Sequence, residues 1–324
     1  MSGSALRTWG YWTRAKLQML KDYLDRFATA SQRQGERIYL DAFAGEGDGV
    51  DRLTGEEFLG SARIALEAGN GTGFTNFRYF EQKEGRARAL EERLREDYPG
   101  RNIKVVAGDS NETIRKVLEE LRPLKWAPTF AFLDPDGMEL EWETIAALAD
   151  HKRGYRSDAS GKPEYKVELW MLFPSAGLVR TLALEEGKMS AKDEARATRL
   201  FGSERWRAIY DARVASEIDA RQAREEYVNL MRWRLEHELG YQNTHAFELK
   251  NTAGVPVYHM IFATDNDAGN RIMSAIYANT AAQIPGMQKE ARDNKTGQGT
   301  IDYGIPLGGP AAKYEHAPPW EPRS

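Results

Sequence analysis

Residues 37–49 read Arg-Ile-Tyr-Leu-Asp-Ala-Phe-Ala-Gly-Glu-Gly-Asp-Gly, a short β-rich run that reaches a carboxylate at Asp41 and continues into a loop with alternating glycines. A buried strand followed by such a loop is how open α/β sheets present their backbone to a nucleotide-like ligand. Glycine matters here because a Cβ would keep the main chain away from the ligand and would disfavour a positive φ. The stretch therefore predicts an α/β sheet with a ligand site after its first strand.

The acids of this stretch indicate which ligand it would hold. A dinucleotide fingerprint requires Gly-x-Gly-x-x-Gly at the start of a helix, with the pyrophosphate at the helix N-terminus. Asp41, Glu46 and Asp48 would repel such a phosphate. A ligand that carries an amine, hydroxyls or a sulfonium fits better, and this favours S-adenosylmethionine as the cofactor. Besides Asp41, the residues expected to approach its methionine and ribose portions are Phe43, Ala44, Gly45 and Gly47.

Length and composition describe an ordinary globular protein. The chain has 324 residues, with 41% hydrophobic and 29% charged residues, which is enough for one large domain with an elaboration. It has no cysteine, so neither a disulfide framework nor a thiolate metal site is possible. No apolar run is long enough to span a bilayer and no signal-peptide core is visible, so no membrane association is expected and the cytoplasm is the expected location. A net charge of −4 is not the footprint of a protein held to nucleic acid by bulk electrostatics.

Further strands follow, alternating with segments of helical periodicity. This alternation predicts a doubly wound (Rossmann-like), mainly parallel sheet. Four consecutive strands end on Asp or Glu, and parallel strands bring such ends to one sheet edge, where ligands bind. The predicted strands are 37–42, with Asp41 at its end; 77–81, ending at Glu81; 103–109, ending at Asp109; 129–135, with Asp134 at its end; and 167–174.

The later part of the chain predicts an elaboration of that sheet. The pattern turns helical from about 178 to 240, and two β-rich runs then flank 250–254 as an antiparallel hairpin. A last helix is expected from about 268 to 282, followed by a Gly- and Pro-rich tail. The predicted division is therefore an α/β domain of 1–177 and 241–282, a helical insertion of 178–240 and a C-terminal extension of 283–324.

Two of the strand-end acids suit a nucleoside. Glu81, followed by Gln82, is placed to accept hydrogen bonds from the vicinal hydroxyls of a ribose, although it could also be a surface acid. Asp109, followed by Ser110, could accept from an adenine amino group or could simply cap the next helix. All four residues are assigned to the cofactor site.

Asp134-Pro135-Asp136-Gly137 forms the second sharp signal. Pro135 stops the strand, and Gly137 allows a tight reversal that displays Asp134 at the mouth of the site. Methyl transfer needs an oriented nucleophile with hydrogen bonds accepted from it, and Asp134 with Pro135 is assigned that catalytic role. A strand-terminating turn is the plain alternative. Residues 173–177, at the end of the fifth strand, could wall the pocket or form a buried strand end.

Other chemistries lack their motifs. The five histidines show no metal-ligand spacing such as His-Glu-x-x-His, and no metal is expected. Neither the Gly-x-Ser-x-Gly elbow of hydrolases nor a phosphate-binding P-loop occurs. Aromatic residues such as Trp12 and Trp206 are expected to pack rather than to stack on bases.

The motifs resemble those of a bacterial family, the three-Cys-motif partner proteins (TcmP), over roughly residues 13–280. The segments that carry the likeness are 40–47, 60–66, 80–81, 108–111, 132–137, Phe201-Gly202 with Trp206, and 258–264. The resemblance implies a class I methyltransferase-like fold, an S-adenosylmethionine site and a protein partner encoded nearby. The lack of cysteine does not conflict, because the family name refers to cysteines of the partner.

Residues 134–137 are also similar to the Asp-Pro-Pro-Tyr box of amino-methyltransferases acting on nucleic-acid bases. Asp136 and Gly137 stand where that box has a proline and an aromatic ring, so the usual stacking partner of a flipped base is missing. We expect a methyltransferase acting on a nucleic-acid acceptor. The alternatives are a non-catalytic adaptor that binds a partner protein and a Mg²⁺-dependent nucleotide or nucleic-acid enzyme.

Overall fold

The four acid-ending runs form neighbouring strands of one sheet. The computed structural model describes residues 8–9, 11–45, 47–51, 57–152, 165–182, 189–251 and 253–296. The strands are β1 (Thr8–Trp9), β2 (Ile38–Asp41), β3 (Gly49–Asp51), β4 (Glu57–Phe58), β5 (Asn76–Glu81), β6 (Asn102–Ala107), β7 (Thr129–Leu133), β8 (Glu168–Phe173), β9 (Asn243–Lys250) and β10 (Pro256–Thr264). The helices are α1 (Tyr11–Ser31), α2 (Ser61–Glu67), α3 (Glu84–Asp97), α4 (Ser110–Glu120), α5 (Trp142–Asp150), α6 (Ser175–Thr181), α7 (Ala191–Phe201), α8 (Trp206–Val214), α9 (Ala220–His237) and α10 (Asp267–Thr296).

The main sheet has seven strands in the order β6-β5-β2-β7-β8-β10-β9. The first five strands in this order, β6 to β8, are parallel to one another. Strand β10 is antiparallel to both β8 and β9. The predicted α/β fold with a closing hairpin is therefore confirmed. After β2 the chain builds outward through β5 and β6, then returns to β7 on the other side of β2. This reversal of strand order creates the crevice in which open α/β sheets bind their ligands.

Alternating side chains of the buried strands feed two separate cores. On β7, Phe130 and Phe132 face an aromatic core shared with α1, α2, α3 and α10. Ala131 and Leu133 face a second core, of mixed aliphatic and aromatic side chains, on the opposite side of the sheet. Strands covered on both faces read as continuous apolar runs, which is why these strands were visible in the sequence.

Helices α6 to α9 pack on the second face of the sheet. Leu178, Leu200, Ile209 and Tyr227, one from each helix, belong to the same core as Leu169 of β8. The predicted helical character of this region agrees with these elements, while residues 183–188 of the predicted insertion lie outside the described residues. The division into domains stays a prediction.

One local prediction about an element was wrong, and one small sheet was not predicted. Helix α10 does not end near 282 but continues through Pro285 to Thr296, so the first part of the predicted extension is helical. A proline removes only one backbone donor, and beyond Gly286 and Met287 the residues 288–292 (Gln-Lys-Glu-Ala-Arg) have high helix propensity. The rest of the extension, 297–324, lies outside the described residues. Second, a small sheet of order β1-β3-β4 was not predicted, because strands of two or three residues are too short to show a period.

Among the described helices, none combines the length and apolarity needed to cross a membrane.

Candidate functional site

A cavity of about 480 Å³ lies along the carboxyl ends of the parallel strands. This volume falls within the range of small-molecule and cofactor sites. Ten of the eleven predicted site residues line it. They are Phe43, Ala44, Gly45, Gly47, Glu81, Gln82, Asp109, Ser110, Asp134 and Pro135.

The loop after β2 is fixed by the two strands beside it. The Ala42 N–H donates to the Phe132 carbonyl at 3.0 Å, and the Ala44 N–H donates to the Phe80 carbonyl at 2.9 Å. Gly45 has φ +63°, and a Cβ built there would meet no atom within 4 Å. The backbone at Gly45 therefore adopts a left-handed conformation beside open space, which suits close approach of a ligand.

The negative charge of Asp48 is balanced by a basic side chain of the protein. Its carboxylate accepts from Arg63 Nε at 2.8 Å and from the Gly60 N–H at 3.3 Å. Of the other acids expected to repel a phosphate, Glu46 lies outside the described residues. The predicted repulsion by Asp48 is weakened, because Arg63 offsets its charge.

Asp41 is the predicted site residue that does not line the cavity. It is fully buried behind the loop, where it accepts from the Phe43 N–H at 3.2 Å and from the Ser61 side chain. Burial raises its pKa from 3.8 to about 7, and these hydrogen bonds offset part of that effect. Asp41 thus supports the loop from behind.

The hydroxyl of Ser61 does not cap α2, the helix that Ser61 begins. Gly60 occupies the cap position with no side-chain hydrogen bond, and Ser61 is the first residue of α2. The Ser61 hydroxyl turns instead towards Asp41, whose buried carboxylate needs donors.

Glu81 ends β5 at the wall of the cavity. Its Oε1 accepts from the Lys83 N–H at 2.9 Å, which fixes the orientation of the carboxylate. The side chain is largely buried, but it lines the cavity together with Gln82. A fixed acid at this edge is able to accept hydrogen bonds from hydroxyl groups of a ligand.

Asp109 is a helix cap that also lines the cavity. Its Oδ1 accepts from the Asn111 N–H at 2.9 Å and from Asn111 Nδ2 at 3.1 Å. The alternative prediction that Asp109 caps the next helix is therefore correct. Asn111, which was not predicted, also donates to the Glu139 carbonyl at 2.8 Å and accepts from Thr144 Oγ1 at 2.7 Å. These bonds join the start of α4 to the segment after β7.

Ser110 contributes an unsatisfied hydroxyl. The residue is 5% exposed, and within the described part of the chain its Oγ has no hydrogen-bond partner. Native proteins leave few buried polar atoms unpaired. A donor or acceptor of a bound ligand would satisfy this atom, because Ser110 lines the cavity.

Asp134 forms an ion pair with Lys16, and this contact was not predicted. Lys16 Nζ donates to Asp134 Oδ2, and the side chains are 8% and 22% exposed respectively. A lysine is almost never fully buried unless it is paired, and Lys16 has this partner. In the structure it is buried, since α1 crosses the end of β7 and brings Lys16 to the cavity wall.

Other walls of the cavity come from distant parts of the chain. Trp12 of α1 and Tyr258 of β10 line it, as do Arg196 and Arg199 of α7. Trp12 was expected only to pack, and nothing in the local pattern around Tyr258 or Arg196 singles these residues out. Lys16, in contrast, lies four residues before Leu20 on the same helix face, a spacing that could have indicated it.

Residues 173–177 form a buried strand end and the start of α6 rather than a wall. Only Leu172, just before them, reaches the cavity. Ser175 is fully buried, and its Oγ lies 2.7 Å from His259 Nδ1.

In the described residues, no group of three or more His, Cys, Asp or Glu side chains could hold a metal ion.

Comparisons with known proteins give a fold neighbour and no family. No protein-family model matches the chain, and no curated protein matches it. Among solved structures it is similar to a Legionella pneumophila protein, LPL1258, described by the family model DUF519. The TM-score is 0.42 at 11% identity, over 80% of this chain and 91% of that one.

Proposed function

We propose that the protein binds S-adenosylmethionine and transfers its methyl group to a nucleic-acid acceptor. The observation that carries the proposal is that one cavity at the sheet edge gathers these residues. It joins the open backbone at Gly45, the fixed carboxylate of Glu81, the unpaired hydroxyl of Ser110 and the acid Asp134. When bound, the cofactor would supply the methyl group, and the electrons of the broken S–C bond would stay on its sulfur.

Each residue has one task in this proposal. The loop from Phe43 to Gly47 approaches the methionine and ribose portions, and Glu81 accepts from the ribose hydroxyls. Asp109 and Ser110 lie at the adenine end. Asp134, at the end of β7, holds the acceptor and accepts a hydrogen bond from it, while Pro135 ends the strand so that this acid stays at the cavity.

Two independent features of the described residues support the proposed cofactor. Ser110 Oγ is a buried atom without a partner among them, and a ligand hydrogen bond would satisfy it. At Gly45 the backbone has a φ that favours glycine, and no protein atom fills the space where a Cβ would point. A bound ligand would pair with the Ser110 hydroxyl and occupy the space beside Gly45.

A nucleic-acid acceptor is supported by cations along the same cavity. Lys83, Arg86, Arg196 and Arg199 line it. Arg199 is paired with Glu141 at 2.9 Å and Arg196 with Asp193 at 3.8 Å, and basic side chains of this kind contact phosphates in nucleic-acid complexes. The chain as a whole has a net charge of −4, so we expect local rather than bulk attraction. A location in the cytoplasm belongs to the same proposal.

Membership of the TcmP family is proposed on the motifs quoted above, and a protein partner is proposed with it. The altered box Asp134-Pro135-Asp136-Gly137 also motivates the second candidate, a non-catalytic adaptor. The two candidates differ in one measurable property, because only the enzyme needs the cofactor.

Isothermal titration calorimetry of the purified chain tests the proposal. We expect S-adenosylmethionine and S-adenosylhomocysteine to bind with dissociation constants of about micromolar, and ATP to bind far more weakly. Glu81→Ala should weaken binding by about tenfold or more. The matched control is Glu84→Ala, which removes a neighbouring exposed acid paired with Arg88. Absence of binding by both adenosyl ligands would favour the adaptor, and metal-dependent binding of ATP alone would favour the nucleotide enzyme.

A further inference from the structure

The side-chain amide of Asn111 makes two hydrogen bonds as a donor and two as an acceptor. Its Nδ2 donates to Asp109 Oδ1 at 3.1 Å and to the Glu139 carbonyl at 2.8 Å. Its Oδ1 accepts from the Glu141 N–H at 3.1 Å and from Thr144 Oγ1 at 2.7 Å. An amide offers two N–H groups and two lone pairs, so Asn111 uses all of them and cannot rotate without breaking several bonds.

The partners also determine which way round this amide lies. Both partners of Nδ2 are acceptors and both partners of Oδ1 are donors, so a flipped amide would lose every one of these contacts. Glu141, at the N-cap of α5, makes no side-chain capping bond, and Asn111 contacts this helix start from α4 instead. Glu141 also pairs with Arg199 of α7 at 2.9 Å, which holds the same segment from its other side.

Asp109 is oriented by this fixed amide. Its Oδ1 accepts from both the N–H and the Nδ2 of Asn111, whereas no described residue donates to its Oδ2. A helix cap needs only the bond from the backbone N–H. The additional bond from the side chain prevents the carboxylate of Asp109 from turning, and it leaves Oδ2 as the oxygen that can accept from a ligand in the cavity.

We propose that Asn111 sets the selectivity of the cofactor site for a base that carries an amino group, because it locks Asp109 in the orientation that accepts a hydrogen bond. This inference rests on the proposed function, in which Asp109 lies at the adenine end. Hypoxanthine has a carbonyl oxygen where adenine has its amine, and it would set an acceptor against the carboxylate. Asn111 is a positioning residue, since it acts on the base only through Asp109.

The test compares S-adenosylhomocysteine with S-inosylhomocysteine, in which a carbonyl oxygen replaces the 6-amino group. Isothermal titration calorimetry of the full chain measures the ratio of the two dissociation constants. We expect the wild type to bind the adenosyl ligand about tenfold or more tightly, since one hydrogen bond to a charged group is lost in the inosyl ligand. Asn111→Ala should reduce this ratio to about threefold or less, chiefly by weakening the adenosyl ligand.

Asn266→Ala is the matched control. Asn266 Oδ1 accepts from the Ala268 N–H at 2.8 Å, so this asparagine also stabilises a helix start, that of α10, and it does not line the cavity. Both variants should lose stability in urea unfolding, but only Asn111→Ala should change the ratio. A merely structural role for Asn111 would weaken the two ligands alike.

Asn111→Asp keeps the shape of the side chain and adds a pH readout. At neutral pH it sets a second carboxylate against Asp109, and the ratio should fall at least as far as in Asn111→Ala. Neighbouring carboxylates raise the pKa of one of them, so at about pH 5 the new group takes up a proton and can donate to Asp109 again. The ratio should then rise, whereas the wild-type ratio should stay constant because both ligands carry the same charge.

Two results overturn the inference: a wild-type ratio near one, or a ratio that Asn111→Ala leaves unchanged. If Asn111→Ala does not fold, as judged by circular dichroism, Asn111→Asp at the two pH values decides the question. Either result leaves the proposed function standing as long as S-adenosylhomocysteine binds. A chain that binds no adenosyl ligand would refute the proposed function, and the inference would fall with it.

Discussion

The α-carbon of Gly60 packs against the carbonyl oxygen of Gly47: an ideal Cβ on Gly60 would lie 1.4 Å from that oxygen. Backbone cannot yield as the end of a flexible side chain can, so the loop after β2 and the start of α2 must both move if Gly60 gains a methyl group. The shape of the loop after β2 therefore depends on a glycine outside the loop itself.

Gly60→Ala should consequently lower both stability and ligand binding. Overpacking of this kind costs about 1–3 kcal/mol, and the displaced loop should bind S-adenosylhomocysteine at least about tenfold more weakly. Gly85→Ala is the control, because Gly85 lies in α3 with no atom within 4 Å of the added Cβ, and there alanine should stabilise by about 0.5–1 kcal/mol. Urea unfolding and calorimetry measure the two effects. Equal behaviour of the two variants would contradict the contact.

Asp41 should make the protein less stable as the pH rises. Its pKa is 3.8 in a solvated state and about 7 in the folded state, chiefly because of burial. Between these values the folded state holds a proton that the unfolded state has lost, so stability falls from about pH 4 to about pH 7 and is flat above. The total corresponds to ~4 kcal/mol. Urea unfolding at several pH values should show that Asp41→Asn removes this part of the slope and gains stability at neutral pH. An unchanged slope would show that Asp41 ionises as a solvated acid does.

His259 should act in the opposite direction. Burial lowers its pKa from 6.5 to about 4, so the folded state keeps the ring neutral where the unfolded state binds a proton. Stability is then lost as the pH falls from about 6.5 to about 4, by ~3 kcal/mol in total. The same unfolding series on His259→Gln should lose less stability on acidification than the wild type does. Since Asp41 and His259 oppose each other in this window, each is visible only by comparison of its variant with the wild type.

The sequence predicted the elements whose signal is local. Strands buried on both faces are continuous apolar runs, and their acidic ends at Glu81, Asp109 and Asp134 identified the sheet edge correctly. The hairpin was equally visible, because its two runs flank a short turn. Each of these signals lies within a few neighbouring residues, and the parallel sheet brings the strand ends to one edge.

The missing parts of the site depend on contacts between distant segments. Lys16 reaches Asp134 only because α1 crosses the end of β7, and Tyr258 arrives on an antiparallel strand late in the chain. The sequence pattern could not predict the role of Asp41 either. An acid that lines the cavity and an acid that supports the loop from behind occupy the same position at the end of a strand.

Ser110 offers a test in which stability and binding should change in opposite directions. Its Oγ is buried with no partner among the described residues, so Ser110→Ala removes a polar atom that gains nothing in the free protein. An unsatisfied buried group costs about 1–3 kcal/mol, and the variant should therefore be as stable as the wild type or more stable in urea unfolding. If a ligand satisfies this hydroxyl, the same change should weaken the binding of S-adenosylhomocysteine by about fivefold to tenfold, as the loss of one hydrogen bond does.

Ser190→Ala, which removes the hydroxyl that caps α7, is the contrasting control and should lose stability without changing the affinity. A Ser110→Ala variant that binds as tightly as the wild type would leave the buried hydroxyl unexplained and would remove one of the two features on which the cofactor fit rests.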